Sequence, residues 1–291
     1  MISTMKTDDI DKQIATYLAS RTNINSSRAA VVRIANETLR DTFGEDLIHL
    51  PVDLEKVGKT LKVMPPFSTP AIGADAILLP NGDYFQLNLK VGTGITAERK
   101  RFSWAHELCH TFFYERQNGS FARAVPSGSQ LEEDLCDLGA QTLLLPTNLF
   151  MQLMEDIRGP KTISEEIIEK AKKAEVSLQV FLIRARMLSY WENFTFAIFS
   201  TDVKRHGSPF KLMWQSIGEK CRYRVIQDTI LPPSLLHKAF AIGGTHNAVL
   251  CEQWIKPDSG AYVEARRYSK GMLLVCIRQP RRKSRKSHHT R

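Results

Sequence analysis

The stretch that decides the fold is Arg101 to Glu115, RFSWAHELCHTFFYE, because it contains an H-E-x-x-H pattern from His106 to His110. The surrounding residues favour a helix, and on a helix positions i and i+4 project from the same face. His106 and His110 can therefore present ring nitrogens to one metal ion. Glu107 follows the first histidine and is predicted not to bind the ion. The pattern assigns it the role of general base, which accepts a proton from water.

The pattern also has a plainer interpretation, because an ordinary helix with packed or exposed histidines would carry the same five residues. Apolar residues occur around most of this predicted helix, as expected for a buried element: Phe102, Trp104, Ala105, Leu108, Cys109, Phe112 and Phe113. A third metal ligand elsewhere in the chain would favour the metal-site interpretation.

A second predicted helix supplies candidates for that ligand. Residues 131–145, LEEDLCDLGAQTLLL, show helical periodicity and stop before Pro146. Catalytic zinc takes three protein ligands and leaves a fourth position for water. We expect Glu133 to be the third ligand and Asp137, one turn later, to accept a hydrogen bond from the free N–H of a ligand histidine. The plainer alternative for these two carboxylates is a solvated acidic face.

Two segments resemble a known family. FSWAHELCHTFF (102–113) and EDLCDLGAQTLLLP (133–146) are similar to the ImmA/IrrE family of bacterial metalloendopeptidases, which show H-E-x-x-H followed by a helix that ends in L-L-x-P. The resemblance spans roughly residues 36–188. It implies a small zincin-like domain in which His106, His110 and Glu133 hold zinc and Glu107 is the catalytic base.

The chain departs from the family pattern at two positions. Glycine is frequent where this chain has Cys109, and an aromatic residue is common in short members where it has Gly139. Neither position is a predicted ligand. Glu132 is a rival to Glu133, so the third ligand stays open between these neighbours. The expected cofactor is Zn²⁺, for which Mn²⁺ could substitute.

Upstream of the motif the sequence predicts a β hairpin. Apolar runs at 76–79 and 83–89 flank Pro80-Asn81-Gly82, and Asn-Gly between such runs favours a tight turn. In zincin-type folds an edge strand of this kind holds an extended substrate peptide by backbone hydrogen bonds. Tyr84, Tyr114 and a distant histidine are candidates for the group that stabilises the oxyanion.

The composition is that of an ordinary globular protein, with 43% hydrophobic and 24% charged residues. No apolar run approaches the ~20 residues that span a bilayer, and the first twenty residues lack the apolar core of a signal peptide. We therefore expect a cytoplasmic protein. Five cysteines without a C-x-x-C pair indicate reduced thiols.

The net charge of +9 is concentrated at the C-terminus. Seven Lys or Arg residues lie in 278–291, which leaves 1–277 with a net charge of only +2. Such a tail is most often disordered and solvated, and nonspecific attraction to nucleic acid is the sharper alternative. No individual residue is predicted to bind nucleic acid.

We expect an α+β fold made of five segments. They are a polar, loosely attached segment (1–25), a zincin-like metallopeptidase domain (26–158), a helical segment similar to a helix-turn-helix (159–190), a C-terminal mixed α/β domain (191–277) and the basic tail (278–291). For 159–190 we favour the alternative that the two helices simply pack on the catalytic domain. The second helix is apolar, whereas a recognition helix is polar and basic. Long family members carry a GAF-like sensor domain at the position of 191–277.

These features predict a zinc metalloendopeptidase, a peptide-bond hydrolase. The resemblance implies a limited cut in a helix-turn-helix transcriptional repressor, which would derepress stress-response or mobile-element genes. The alternatives are a DNA-binding regulator with a structural metal site and a ligand-sensing regulator with a vestigial one. Oxidation of Cys109 and Cys136, each three residues after a predicted ligand, is a further hypothesis; two small buried hydrophobes are the plainer interpretation.

Overall fold

The computed structural model describes residues 7–44, 47–70, 73–92, 94–155, 162–201, 210–226, 235–242, 245–250, 255–256, 261–269 and 271–279. The chain divides into two units, one made of 1–158 with 171–177 and the other of 159–170 with 178–291. Both units combine helices with strands, which agrees with the mixed α and β content that was predicted. None of the helices in these ranges has the length and apolar character needed to cross a membrane.

The first unit opens with helices α1 (Thr7–Thr22) and α2 (Ser27–Phe43). Ser26 caps α2 by accepting a hydrogen bond from the Ala29 N–H. The prediction that the N-terminal segment is loosely attached is wrong for residues 7–22. Ile14 and Leu18 are one helical turn apart and both are fully buried, so α1 packs against α2 despite its polar composition.

A three-stranded sheet follows the short helix α3 (Leu54–Thr60). Its strands are β1 (Phe67–Thr69), β2 (Ala76–Asn81) and β3 (Tyr84–Lys90), in the order β1-β3-β2. Strands β2 and β3 form the predicted antiparallel hairpin. Its two-residue turn consists of Gly82 and Asp83, one position later than the Asn-Gly pair predicts, and Gly82 adopts a φ of 65°.

The predicted ligand helices are α4 (Ala97–His110) and α5 (Gln130–Leu144), which pack against each other. A 3₁₀ turn (Thr111–Phe113) and a hairpin of β4 (Tyr114–Gln117) and β5 (Ser120–Arg123) connect them, and α6 (Thr147–Glu155) follows. Helix α4 also packs on β2 and β3, and α2 packs on α5. The ligand helices are thus held between the sheet and the N-terminal helices.

The second unit is built on a five-stranded antiparallel sheet with the order β7-β6-β12-β11-β9. Its strands are β6 (Phe194–Thr201), β7 (Phe210–Ile217), β9 (Thr245–Leu250), β11 (Ala261–Ser269) and β12 (Met272–Arg278). Helix α9 (Leu235–Ile242) packs on it, and the short strands β8 (Arg224–Val225) and β10 (Ile255–Lys256) pair. The GAF-like interpretation of this segment stays a proposal.

Helices α7 (Ile163–Lys173) and α8 (Leu178–Met187) occupy the segment predicted to be similar to a helix-turn-helix. Six of the ten residues of α8 are buried, including Arg184. A recognition helix must present polar side chains to the DNA groove. The described part of α8 therefore gives no support to the helix-turn-helix interpretation.

The first residue of the predicted basic tail belongs to a strand. Strand β12 includes Arg278, whose guanidinium lies 4.8 Å from the centre of the Tyr262 ring. Residues 280–291, which contain most of the predicted tail, lie outside the described residues.

Candidate metal centre

The two motif histidines lie one turn apart on α4. The centres of the His106 and His110 rings are 5.0 Å apart, and their side chains are only 16% and 15% exposed. Helix α4 forms here because Thr96 caps it through the Arg99 N–H and because Ala105, Leu108 and Cys109 pack into the core. The i, i+4 spacing therefore brings both imidazoles to one side of the helix, as predicted.

The carboxylate of Glu133 approaches the Nε2 atoms of both histidines. Its Oε2 lies 3.2 Å from His106 Nε2, and its Oε1 lies 3.8 Å from His110 Nε2. The Glu133 side chain is half exposed, so the group of three faces solvent on one side. Two imidazole nitrogens and one carboxylate are a donor set that suits catalytic zinc, and the exposed side leaves room for a further ligand.

Carboxylates also bind the other nitrogen of each imidazole. Asp137 Oδ1 lies 2.8 Å from His106 Nδ1, and Glu132 Oε1 lies 2.9 Å from His110 Nδ1. An ionised carboxylate only accepts hydrogen bonds, so each Nδ1 carries a proton, and Nε2 is the nitrogen that an ion would take. Asp137 thus stands in the predicted orienting position. Burial lowers the pKa of His106, but the Asp137 hydrogen bond and the nearby acidic charges outweigh it and raise the pKa overall.

Glu132 does not face the two Nε2 atoms, where a third ligand would have to lie. Its side chain is 2% exposed, and it contacts the Nδ1 of His110 while Glu133 faces the Nε2 atoms. Arg123 Nη2 donates to Glu132 Oε2 at 2.6 Å. Burial raises the pKa of Glu132, but the hydrogen bonds from His110 and Arg123 lower it overall. Arg123 follows no ligand spacing, so no sequence pattern singles it out.

Glu107 lies beside the two histidines, with its carboxylate turned to strand β2. Burial raises the pKa of Glu107, although the positive charge of the His110 and His106 imidazoles and a hydrogen bond from the Leu78 N–H offset part of the rise. A carboxylate that is partly removed from water and fixed by a backbone donor is well suited to accept a proton.

Strand β2 is an edge of its sheet, so one side of its backbone is not used by β3. The Asp75 carbonyl accepts from the Lys90 N–H across the hairpin, and backbone groups alternate in direction along a strand. The backbone groups of Ala76, Leu78 and Pro80 therefore point away from β3. The Leu78 N–H binds Glu107 and Pro80 has no N–H, so the three carbonyls and the Ala76 N–H are the groups that face outward. This places an extended hydrogen-bonding edge next to Glu107, as an extended peptide requires.

The two tyrosine candidates for the oxyanion are engaged elsewhere. The Tyr84 hydroxyl accepts from the Asn81 side chain at 2.8 Å. The Tyr114 ring packs at 5.1 Å on Phe85 and lies under the Arg123 guanidinium. Among the described contacts, neither tyrosine touches a predicted ligand, and the oxyanion donor is left unassigned.

Cys136 provides a second combination of candidate ligands. Ligand atoms of His106, His110 and Cys136 lie within 4.8 Å of one another and could hold a metal ion. However, Cys136 Sγ approaches the Nδ1 of His110, at 3.5 Å, on the side that Glu132 already binds. Burial raises the pKa of the Cys136 thiol well above its usual value. We therefore favour Glu133 as the third ligand.

Burial also bears on the proposed oxidation of the cysteines. Cys109 and Cys136 are fully buried, and burial raises the pKa of each thiol well above its usual value. Oxidation needs thiolate character and access to the oxidant. Their surroundings agree with the interpretation as two small buried hydrophobes.

Comparisons with known proteins locate a family domain at this site. Residues 92–186 match the family model of the peptidase M78 family, described as the IrrE N-terminal-like domain. No curated protein matches the chain. The solved structure of a Mycobacterium tuberculosis transcriptional regulator aligns with 95% of this chain and 81% of its own, at 14% identity and a TM-score of 0.45, a likeness too weak to support a conclusion. The matched segment contains both ligand helices and supports a metallopeptidase. The resemblance seen in the sequence is confirmed, and the chain contains an ImmA/IrrE family domain, of the peptidase M78 type, at residues 92–186.

Proposed function

We propose that this protein is a zinc-dependent endopeptidase. His106 and His110 would hold the ion through their Nε2 atoms and Glu133 through its carboxylate, with Glu107 as general base. The observation that carries the proposal is the convergence of two Nε2 atoms and one carboxylate, while each Nδ1 is bound by a separate carboxylate.

This donor set fits the proposed ion. Two imidazoles and one carboxylate are a known combination in catalytic zinc sites, and Mn²⁺ could substitute because it also accepts nitrogen and oxygen donors. When bound, zinc supplies Lewis acidity that polarises the carbonyl of the scissile peptide bond. The domain match supports a metallopeptidase but does not identify the ion.

The protein groups supply the proton transfers and the substrate geometry. The Glu107 carboxylate accepts a proton from the attacking water and returns it to the leaving amine. The Leu78 N–H holds this carboxylate, and the free edge of β2 offers backbone groups to an extended peptide beside it. Binding the peptide along β2 would bring one of its carbonyls next to the base.

We further propose that the substrate is a helix-turn-helix transcriptional repressor and that one limited cut inactivates it. This part rests on the family resemblance, since such repressors are the substrates of ImmA/IrrE peptidases. Their removal would derepress stress-response or mobile-element genes. The protein would cleave a substrate of this kind in the cytoplasm.

The test is to incubate the purified protein with helix-turn-helix repressors of the same organism and to follow cleavage by mass spectrometry. Glu107→Gln keeps the size of the side chain and removes the base, so cleavage should slow by about 10² to 10⁴-fold while bound zinc is retained. Glu115→Gln, on the exposed strand β4, is the matched control and should cleave normally. Unchanged cleavage by Glu107→Gln would refute the mechanism. Cleavage of other proteins but no helix-turn-helix repressor would refute only the substrate.

A further inference from the structure

We propose that Arg123 and Glu132 form a positioning pair that fixes the proton of His110 on Nδ1 and so keeps Nε2 available to the metal. The proposal rests on the metal site of the proposed function. It goes beyond the ligands themselves, because neither residue of the pair would touch the ion.

Arg123 is held in one orientation by three contacts. Its Nη2 donates to Glu132 Oε2 at 2.6 Å, and its Nε donates to the Val125 carbonyl at 3.1 Å. Its guanidinium also lies 5.1 Å from the centre of the Tyr114 ring. These contacts fix the guanidinium in front of one carboxylate oxygen of Glu132.

Both carboxylate oxygens of Glu132 have hydrogen-bond partners, and the side chain has little freedom to move. One oxygen accepts from Arg123, the other faces His110 Nδ1 at 2.9 Å, and the side chain is 2% exposed. Ser129 accepts from the backbone N–H of Glu132 at the start of α5. Because guanidinium and carboxylate have fixed donor and acceptor roles, the oxygen facing His110 can only accept, and His110 must donate from Nδ1.

The two histidines are oriented by different means. Asp137, the partner of His106, is 52% exposed and can exchange its hydrogen bond with water. Glu132 is buried and is compensated by the positive charge of Arg123. Arg123 therefore pairs with the buried carboxylate that faces His110, where water cannot replace it.

A single amide substitution should reverse the proton position. In Glu132→Gln the side chain offers one oxygen and one NH₂ group, and Arg123, which only donates, takes the oxygen. The NH₂ group then faces His110 Nδ1, which must accept. The proton moves to Nε2 and blocks the atom that binds metal. Zinc affinity should fall by about 10 to 100-fold, the usual cost of losing such an orienting partner.

Removing Arg123 as well should restore the site. The double variant Arg123→Met, Glu132→Gln lacks the guanidinium that would donate to the amide oxygen. The oxygen can therefore turn to His110 and accept from Nδ1 again. The double variant should therefore bind zinc more tightly than Glu132→Gln alone. A merely structural role predicts the opposite, because two losses in one packed region would add or worsen. Both variants preserve side-chain volume approximately, and the one charge that loses its ion-pair partner, the Arg123 guanidinium in Glu132→Gln, is 26% exposed.

Two measurements decide the proposal. Zinc affinity is measured by competition with a chromophoric chelator, and the proton position on His110 is read from the ¹⁵N shifts of its ring in metal-free protein, assigned with His110→Ala. Circular dichroism confirms folding. Arg116→Ala, an exposed arginine of the same hairpin, is the control and should change neither quantity.

The expected result is an Nδ1 proton in wild type, an Nε2 proton with weak zinc binding in Glu132→Gln, and recovery of both in the double variant. Wild-type affinity in Glu132→Gln, or a double variant as weak as the single one, would overturn the pair. The ¹⁵N reading needs neither zinc nor substrate. A protein that shows the predicted proton positions but cleaves no protein would therefore contradict the proposed function and leave the pair standing.

Discussion

Gly139 of α5 allows the two ligand helices to approach each other closely. A Cβ added at this position would lie 2.6 Å from Cys109 Sγ on α4 and 3.3 Å from Val31 Cγ1 on α2. The first distance is shorter than real contacts of this kind, so a neighbour would have to move. We predict that Gly139→Ala destabilises the packing of α4 against α5, although alanine is the better helix former.

The magnitude follows from two opposing effects. Alanine in a helix interior gains up to about 1 kcal/mol over glycine, whereas an extra methyl group in a packed core costs about 1 to 3 kcal/mol. The net cost in Gly139→Ala is then up to about 2 kcal/mol. In a Cys109→Ala background the sulfur is absent. The same substitution should there cost less, because the contacts that remain are the Cys109 Cβ at 3.2 Å and the Val31 Cγ1 at 3.3 Å.

The assay is hydrogen exchange of the α4 and α5 backbone amides in metal-free protein, read by mass spectrometry. A loss of about 1 to 2 kcal/mol speeds exchange by about 5 to 30-fold. Gly58→Ala in α3 is the matched control, because its Cβ would meet Val63 O at 3.5 Å and Leu108 Cδ2 at 3.7 Å, which are ordinary contacts. The reasoning fails if Gly139→Ala slows exchange, or if its cost is the same with and without the Cys109 sulfur.

Three further predictions concern the surroundings of the metal centre. Asp137→Asn should weaken zinc binding about 10 to 100-fold in a chelator competition, because it removes the carboxylate that orients His106; equal affinity would refute that role. Ser129→Ala should destabilise α5 by about 1 kcal/mol in hydrogen exchange, because it removes the N-cap; unchanged protection would contradict this. Cys109 and Cys136 should resist iodoacetamide at pH 8 in the native protein, because burial raises the pKa of both thiols and keeps them protonated. Rapid labelling, detected by mass spectrometry, would revive the oxidation hypothesis.

Local patterns were sufficient to predict that the two motif histidines lie on one side of a helix. His106 and His110 depend only on helical spacing, and α5 depends on periodicity that ends before Pro146. The choice between Glu132 and Glu133 depends on more. Successive residues on a helix point about 100° apart, so the rotation of α5 relative to α4 decides which carboxylate faces the Nε2 atoms. That rotation comes from packing between elements distant in sequence.

The prediction of a loosely attached N-terminal segment was wrong for a related reason. Helix α1 is polar over most of its length, and only a narrow stripe that includes Ile14 and Leu18 is buried. Average polarity suggested weak attachment, but Ile14 and Leu18 at i, i+4 spacing are buried, and Arg21 Nη1 also donates to the Phe112 carbonyl. Arg123 could not be predicted for a similar reason, since its role depends on where the hairpin between the ligand helices folds back.

The most direct test of the zinc site is the metal content of the purified protein, measured by mass spectrometry with matched variants. Wild type should hold about one zinc ion per chain, as a three-ligand catalytic site requires. Glu133→Ala and His110→Ala should lose it, whereas Cys136→Ala should retain it. Wild-type protein without zinc under conditions that preserve metal, or full retention by Glu133→Ala, would contradict the proposed site.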